Sequence, residues 1–380
     1  MKKLKITLMI ALLVAANTLL SQEVTTIATI PPNYGDGMIM TPEGDILVSG
    51  GFNKNTILQI TPEGTVTELI DGLPGPVGMG FDSDGNLYVS NYTGNSISKI
   101  TPGGDVTEFA SGLDGPAGLI VTDSDEILVT LYGANFSGTG STVLKFDLDG
   151  TSEVYASGSG ILDAIGIIED ENQDLFITNL IGGDIFKVDS AQNIETIATV
   201  AGAQINQIVY SNGHVFIPAP NLRKIYRVNT SSGSVEHFAG SVGSTTTDGE
   251  LLEADFNFPN SCAINAAGDT LYVLDGQVGL IRAVDLSGTL GLNDAENTLG
   301  LQLISNPQND TMTVQGNFIQ AQNYTVRIYD ISGQLVETVK GTIQNGNLQS
   351  TIGTGAWSNG IYVVKIQIGE TTVARKFVKQ

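Results

Sequence analysis

Four oxygen-bearing side chains stand at matched places in the chain, each close to the start of an apolar run: Asp36, Asp163, Asn206 and Asn260. Brought around one point, two carboxylates and two amides would offer the oxygen donors that Ca²⁺ or another hard divalent cation prefers. Under that reading Asp163 doubles as the base of a hydrolysis. The same position in two further copies holds Val77 and Ala117, which leaves only half a ring. The competing reading is that short polar residues there satisfy exposed backbone amides. A second matched set, Asn91, Leu131, Asn179 and Asp275, ends the strands that follow, with Tyr92 and Tyr132 beside it. Asn91, Tyr92, Tyr132, Asn179 and Asp275 are candidate ligand contacts, or else strand-end residues that bond turn amides.

Other chemistry finds little footing. Of the two histidines, His214 follows the Asn212-Gly213 turn, which belongs to the opposite face, and His237 falls in an outermost strand. Cys262 is the only cysteine, so no intramolecular disulfide forms, and Ser261-Cys262-Ala263-Ile264 reads as an inner strand in which the thiol is a small hydrophobe. The chain has no His-Glu-x-x-His, no Gly-x-Ser-x-Gly and no phosphate loop. Asp82-Ser83-Asp84-Gly85 opens like a calcium loop, but its twelfth position is Thr93, so it reads as a hairpin turn. The segment Tyr132–Ser141, with Asn135 and Phe136, is an enlarged loop that could act as a lid.

The elements that position these residues form a repeat. Gly37–Val48, Gly78–Val89, Gly118–Val129 and Gly166–Ile177 share one grammar, with weaker copies at Ile208–Ile217 and Ala263–Val273. The first three start 41 and 40 residues apart, and the fourth follows after 48 because of the insert at Gly133–Ser141. In each, an apolar strand meets a tight turn such as Asp84-Gly85, then a strand ending in Val-Ser, Val-Thr or Ile-Thr. A third and a fourth strand follow, as in Ser96–Ile100 and Val106–Ala110. Four antiparallel strands per roughly 40–45 residues is the blade of a β-propeller. The sixth copy stops after its third strand, near Ile281–Asp285, and Val24–Ile30 resembles the missing fourth. An N-terminal strand that completes the last blade closes the ring and removes an open edge.

Ala239-Gly240, Thr247-Asp248-Gly249, Ala254, Phe256 and Pro259 follow the inter-blade pattern of NHL-repeat proteins. Residues 22–290 resemble the NHL and SMP-30/gluconolactonase-like group of six-bladed propellers. That resemblance implies a fold more than an activity, since the group spans lactonases, lyases and binding scaffolds. Its lactonases hold a divalent cation; Asp36 stands where they have a Glu and Asn260 where they have an Asn. The streptogramin lyases of similar architecture use a mouth-facing histidine that has no counterpart here.

The ends of the chain read as addresses. Lys2, Lys3 and Lys5 followed by the apolar Ile6–Ala16 form a signal peptide over 1–21, with cleavage expected near Ser21–Gln22. No Cys follows the cut, which argues against a lipoprotein, and no later run is apolar for long enough to span a membrane. Residues 22–296 carry 8 Lys/Arg against 36 Asp/Glu, a net of −28, so the propeller repels phosphate backbones and no nucleic acid is expected as partner. Residues 291–300 read as a linker, and 301–380 alternate as seven or so strands of a small β-sandwich. Asn306-Pro307, Ile328-Tyr329-Asp330 leading to Gly333, Gly360-Ile361-Tyr362-Val363-Val364-Lys365 and Arg375-Lys376-Phe377-Val378 resemble the type A C-terminal sorting domain of the Bacteroidota type IX secretion system. The resemblance implies export to the outer surface or the medium, with the secretion machinery as partner. An ordinary carbohydrate-binding sandwich is the alternative for this segment.

The expectation is therefore an all-β, six-bladed propeller followed by a small β-sandwich. The propeller is expected to be a non-catalytic scaffold for a protein, peptide or glycan; the alternative is a metal-dependent hydrolase of the SMP-30/gluconolactonase type.

Overall fold

The computed structural model describes residues 22–286, 302–306, 311–317, 323–330, 334–343, 346–368 and 371–379. The signal peptide, the linker, Pro307 and Gly333 lie outside the described residues. The chain divides into two compact units, the first ending at Asp285 and the second beginning at Leu286. Among the described residues no helix is long and apolar enough to cross a membrane.

The first unit consists of six antiparallel sheets, each a blade. Blade 2 shows the plan: Pro76–Phe81 innermost, then Leu87–Asn91, Ser96–Ile100 and Val106–Ser111. Burial falls along that order. Leu87–Asn91 is buried throughout, whereas Val106–Ser111 is mostly exposed, because only the inner strands lie between neighbouring blades. The turn glycines do what their positions require: Gly85 sits at φ 79°, where an L side chain is strained. Blades 3 and 4 make the same turn with Asp125 at φ 61° and Gln173 at φ 65°.

Blades meet through one recurring contact. Ser49 Oγ accepts from Gly37 N–H at 2.8 Å and donates to Val77 O of the next blade at 2.7 Å. Ser90 does the same between Gly78 and Ala117 O, and Thr130 between Gly118 and Ile165 O. The glycine is obligatory because a Cβ on Gly37 would lie 2.1 Å from Val77 O, and one on Gly118 1.9 Å from Ile165 O. The Val-Ser and Val-Thr strand ends of the repeat are thus inter-blade ties. Apolar clusters complete each seam, such as Leu47, Ile57, Met79 and Val89 between blades 1 and 2. Cys262 is buried in blade 6 with its Sγ 3.7 Å from Phe216 O of blade 5, and burial pushes its thiol pKa up, away from nucleophilic use.

Blade 6 is closed from the other end of the chain. Glu23–Thr29 pairs antiparallel with Leu280–Asp285, so Thr25 faces Ala283. A fifth strand, Gly249–Glu250, which the repeat did not announce, pairs with the far edge of Glu23–Thr29. Asp248 beside it accepts from Thr26 N–H and Thr26 Oγ1, both at 2.9 Å. Its other partner is Arg282, fully buried, whose guanidinium donates to Asp248 Oδ1 at 2.7 Å and to the carbonyls of Thr247 and Asp255 at 3.0 Å. The guanidinium also lies 5.1 Å from the Phe256 ring centroid. The NHL-like Thr247-Asp248-Gly249 segment is therefore a latch over the N-terminal strand.

The second unit pairs a three-stranded sheet, Gln302–Asn306, Thr311–Asn317 and Asn347–Gly353, with a four-stranded one, Asn323–Asp330, Leu335–Thr342, Gly360–Ile368 and Thr371–Lys379. Met312, Val314 and Ile352 from the first sheet share a core with Val326, Val364 and Phe377 from the second. The seven strands form the expected sandwich. Tyr362 belongs to that core and donates to Ser358 O at 2.7 Å, while Lys365 is exposed above the Tyr329 ring.

Two substitutions test these supports by urea unfolding. Gly118→Ala forces blades 3 and 4 apart and is expected to cost about 1–3 kcal/mol. Arg282→Met strands three acceptors at the closing strand and is expected to cost roughly 3 kcal/mol. An unchanged midpoint in either variant would contradict the role assigned to it.

Candidate binding site at the propeller mouth

The inter-blade ties fix which residue of each blade faces the mouth of the central channel: the one just before the tied glycine or its replacement. Round the ring these are Asp36, Val77, Ala117, Ile165, Asn206 and Asn260. Blade 4 corrects the sequence reading, because Ile165 and not Asp163 holds the ring place. Asp163 precedes its strand and matches Gly75 and Gly115 in blades 2 and 3. All three have positive φ (42°, 74° and 63°), and all three carbonyls accept from the residue that follows the second strand. Asp is one of the few side chains that tolerates that backbone, which is why a glycine site was read as a donor site. Its carboxylate accepts from Ile181 N–H at 3.4 Å, and burial pushes its pKa up.

The corrected ring has two halves. Blades 5, 6 and 1 contribute Asn206, Asn260 and Asp36, and blades 2, 3 and 4 contribute Val77, Ala117 and Ile165. Four aromatic rings gather at this end. Phe52 and Phe136 meet edge to face with centroids 4.9 Å apart, and Tyr92 lies 4.9 Å from Phe136 and 6.1 Å from Tyr132. With Asp36, Asn206, Gln207 and the apolar half of the ring they line a cavity of about 140 Å³. A second cavity of about 200 Å³ adjoins it, sharing Asp36 and Phe52 and bounded by Asn260 and Gly276.

The enlarged loop is held in a costly conformation. Asn135 and Phe136 sit at φ 56° and 58°, a left-handed backbone that strains a bulky residue by about 1–3 kcal/mol. Tyr92 holds it there, its hydroxyl accepting from Phe136 N–H at 2.7 Å and donating to Gly133 O at 2.9 Å. Asp114 Oδ1 accepts from Ala134 N–H at 2.8 Å. Phe136 stays 55% exposed and Phe52 41%, so both present ring surface to an incoming group.

Asp36 keeps a partly accessible side chain, but the protein packed around its carboxyl strips its hydration and pushes its pKa up. Phe52 N–H donates to it at 3.3 Å. Gln207 stands where blades 1–4 have a glycine, and its side-chain nitrogen is buried without a partner. Neither Phe52 nor Gln207 was anticipated. Phe52 lies in a loop with no repeat signature, and Gln207 is visible only once the failed tie of blade 5 is recognised.

Of the second set, only Tyr92 and Tyr132 reach the cavity. Asn91 is fully buried and donates to Ser96 Oγ and Ser98 Oγ. Asn179 accepts from Leu162 N–H and donates to Gly160 O. Asp275 is fully buried and accepts from Asn257 N–H and Phe258 N–H. Asn179 and Asp275 thus bond backbone ahead of an inner strand, whereas Asn91 bonds hydroxyls on the third strand of its own blade, and none of the three lines the cavity. His214 bonds Asn212 O and His237 bonds Gly240 O; neither lines the cavity.

A resident divalent cation does not fit the ring. Asp36 is its one carboxylate, and Asn206 and Asn260 line different cavities. Among the described residues no three His, Cys, Asp or Glu side chains gather as a metal group.

Residues 304–380 match the family of secretion system C-terminal sorting domains. Among curated proteins none matches the sequence. Similar solved structures include an auxiliary nutrient binding protein from Bacteroides ovatus, with TM-score 0.59 and 15% identity over 70% of this chain and 76% of that one. A gluconolactonase from Xanthomonas campestris gives 0.55 and 13% over 70% and 89%. The virginiamycin B lyase of Staphylococcus aureus gives 0.50 and 16% over 66% and 79%. At such identities the likeness is one of fold. The chain is an all-β, six-bladed propeller resembling these lyase and gluconolactonase structures. It carries a type IX sorting domain, which implies secretion to the cell surface or beyond.

A carboxyl with a raised folded pKa binds more protons folded than unfolded. Ionising Asp36 therefore removes stability as pH climbs from about 4 through its folded value. Asp36→Asn keeps the acceptor for Phe52 N–H and removes that cost. The variant is expected to melt above wild type at pH 7 and to converge with it below about pH 4; a lower melting point at pH 7 would refute the assignment.

Proposed function

We propose that the propeller is a non-catalytic binding module carried outside the cell by its sorting domain, and that its mouth is the ligand site. The observation that carries this reading is the cavity itself: four aromatic side chains and one carboxylate around a space the size of a single chemical group, with neither histidine beside it. By the same measure an apolar cavity of about 150 Å³ admits benzene. The mouth thus takes one ring or branched head of a ligand whose remainder lies over the exposed Phe52 and Phe136. Aromatic anchors at a partly polar mouth are the usual basis of such recognition. The signal peptide over 1–21 would deliver the chain across the inner membrane and residues 301–380 across the outer one, with the boundaries 22–290 and 291–300 enclosing the cargo and its linker.

Three experiments test the reading. Wild type and a Phe52→Ala/Phe136→Ala double variant are compared on peptide and glycan arrays. Binding that the double variant loses by tenfold or more is expected, since two aromatic anchors covered by the ligand contribute about 1–2 kcal/mol or more. Melting curves with Ca²⁺, Mg²⁺, Mn²⁺ and Zn²⁺ are expected to coincide. Stabilisation by one of them together with Asp36-dependent lactone turnover would favour the hydrolase instead. Deletion of residues 304–380 is expected to retain the chain inside the cell, and unimpaired export would refute the sorting role.

A further inference from the structure

The reading of the mouth as a ligand site can be carried to the chemistry of the group it holds. Three observations converge on one cavity. The first is the set of ring angles: Phe52 and Phe136 are inclined at 73°, Tyr92 and Phe136 at 42°, Tyr92 and Tyr132 at 63°. Rings tilted in this way wall a space on several sides. They offer no single flat platform of the kind on which a sugar ring stacks. The second is Asp36, a carboxylate with a single 3.3 Å hydrogen bond from Phe52 N–H and no Lys or Arg among the residues lining the cavity. The third is the apolar half of the ring, Val77, Ala117 and Ile165, which lines the same cavity.

Resting on that reading, we propose that the group seated in the mouth is an organic cation: a substituted ammonium on a short apolar stem. The aromatic faces present negative potential to the ammonium, and the carboxylate of Asp36 supplies the opposite charge. The apolar half of the ring, Val77, Ala117 and Ile165, covers the stem. Attraction begins before contact, since residues 22–296 carry a net charge of −28 and draw cations toward the mouth. A neutral glycan unit would leave Asp36 without a counter-charge in a poorly hydrated place, and an anionic group would be repelled by it.

The test uses the purified chain and two probes of one shape, choline and its uncharged carbon isostere 3,3-dimethyl-1-butanol, titrated at low ionic strength and pH 7. Choline is expected to bind about tenfold tighter or more than the isostere. Asp36→Asn is expected to erase that preference while leaving the isostere unchanged, and Phe136→Leu to weaken both. Melting curves of the variants confirm that each is folded. Equal affinity for the two probes, no binding of choline, or a preference that survives Asp36→Asn would each overturn the proposal. If an array ligand lost by the Phe52/Phe136 double variant shows no charge preference, the cation falls and the binding site stands. If no ligand responds to that double variant, both fall.

Discussion

The propeller depends on a contact of three atoms: a hydroxyl that takes the N–H of a glycine in its own blade and gives its proton to a carbonyl of the next. Ser49, Ser90 and Thr130 make it in blades 1 to 3. It brings two inner strands so close that no Cβ fits between them, and it saturates backbone groups which the twist of adjacent sheets would otherwise leave buried and unpaired. The seam is therefore polar at one point and apolar along the rest of its length. The polar point sets the register; the apolar clusters supply most of the favourable free energy.

That contact fades on the other side of the ring. Thr178 Oγ1 in blade 4 is buried without a partner, Gln207 replaces the glycine of blade 5, and blade 6 sets Ser261 against Leu274. Of the polar residues of the mouth, Asn206 and Asn260 lie on blades of this weaker stretch and Asp36 on the blade next to it. Regularity has been given up where side chains are turned toward the channel. The same sector is where Arg282 and Asp248 clamp the closing strand, so the loss of one kind of tie is offset by another.

Much of this was legible in the residues because the repeat writes its geometry into residue types. Gly37, Gly78 and Gly118 followed by hydroxyls twelve positions on are a pattern, and the pattern is the seam. The closing strand was legible too, since Val24–Ile30 has the composition of a fourth strand and the sixth copy lacks one. The mouth was less so. Asp163 looked like a ring donor only because an Asp had taken over a left-handed glycine site, which shifted the alignment of blade 4 by two residues and concealed Ile165. Asn91, Asn179 and Asp275 were rightly found as a matched set. Their partners, turn backbone for Asn179 and Asp275 and the hydroxyls of Ser96 and Ser98 for Asn91, are visible only in three dimensions. Phe52 and Gln207 belong to no pattern, because neither stands at a place where the repeat dictates a residue type.

The strand Glu23–Thr29 has a consequence for timing. Thr25 and Ala283 are separated by almost the whole propeller sequence, and their pairing waits until that sequence has been made and delivered. Closing a loop of that length costs only about 3–4 kcal/mol more than closing a five-residue hairpin, since each doubling adds about 0.6 kcal/mol. Equilibrium is thus little affected, but order of events is. Until the last blade forms, the first strand has no partner, and without that strand blade 6 would show an open sheet edge to any neighbouring chain. Closure of the ring therefore needs both ends of the propeller sequence and cannot precede its last blade.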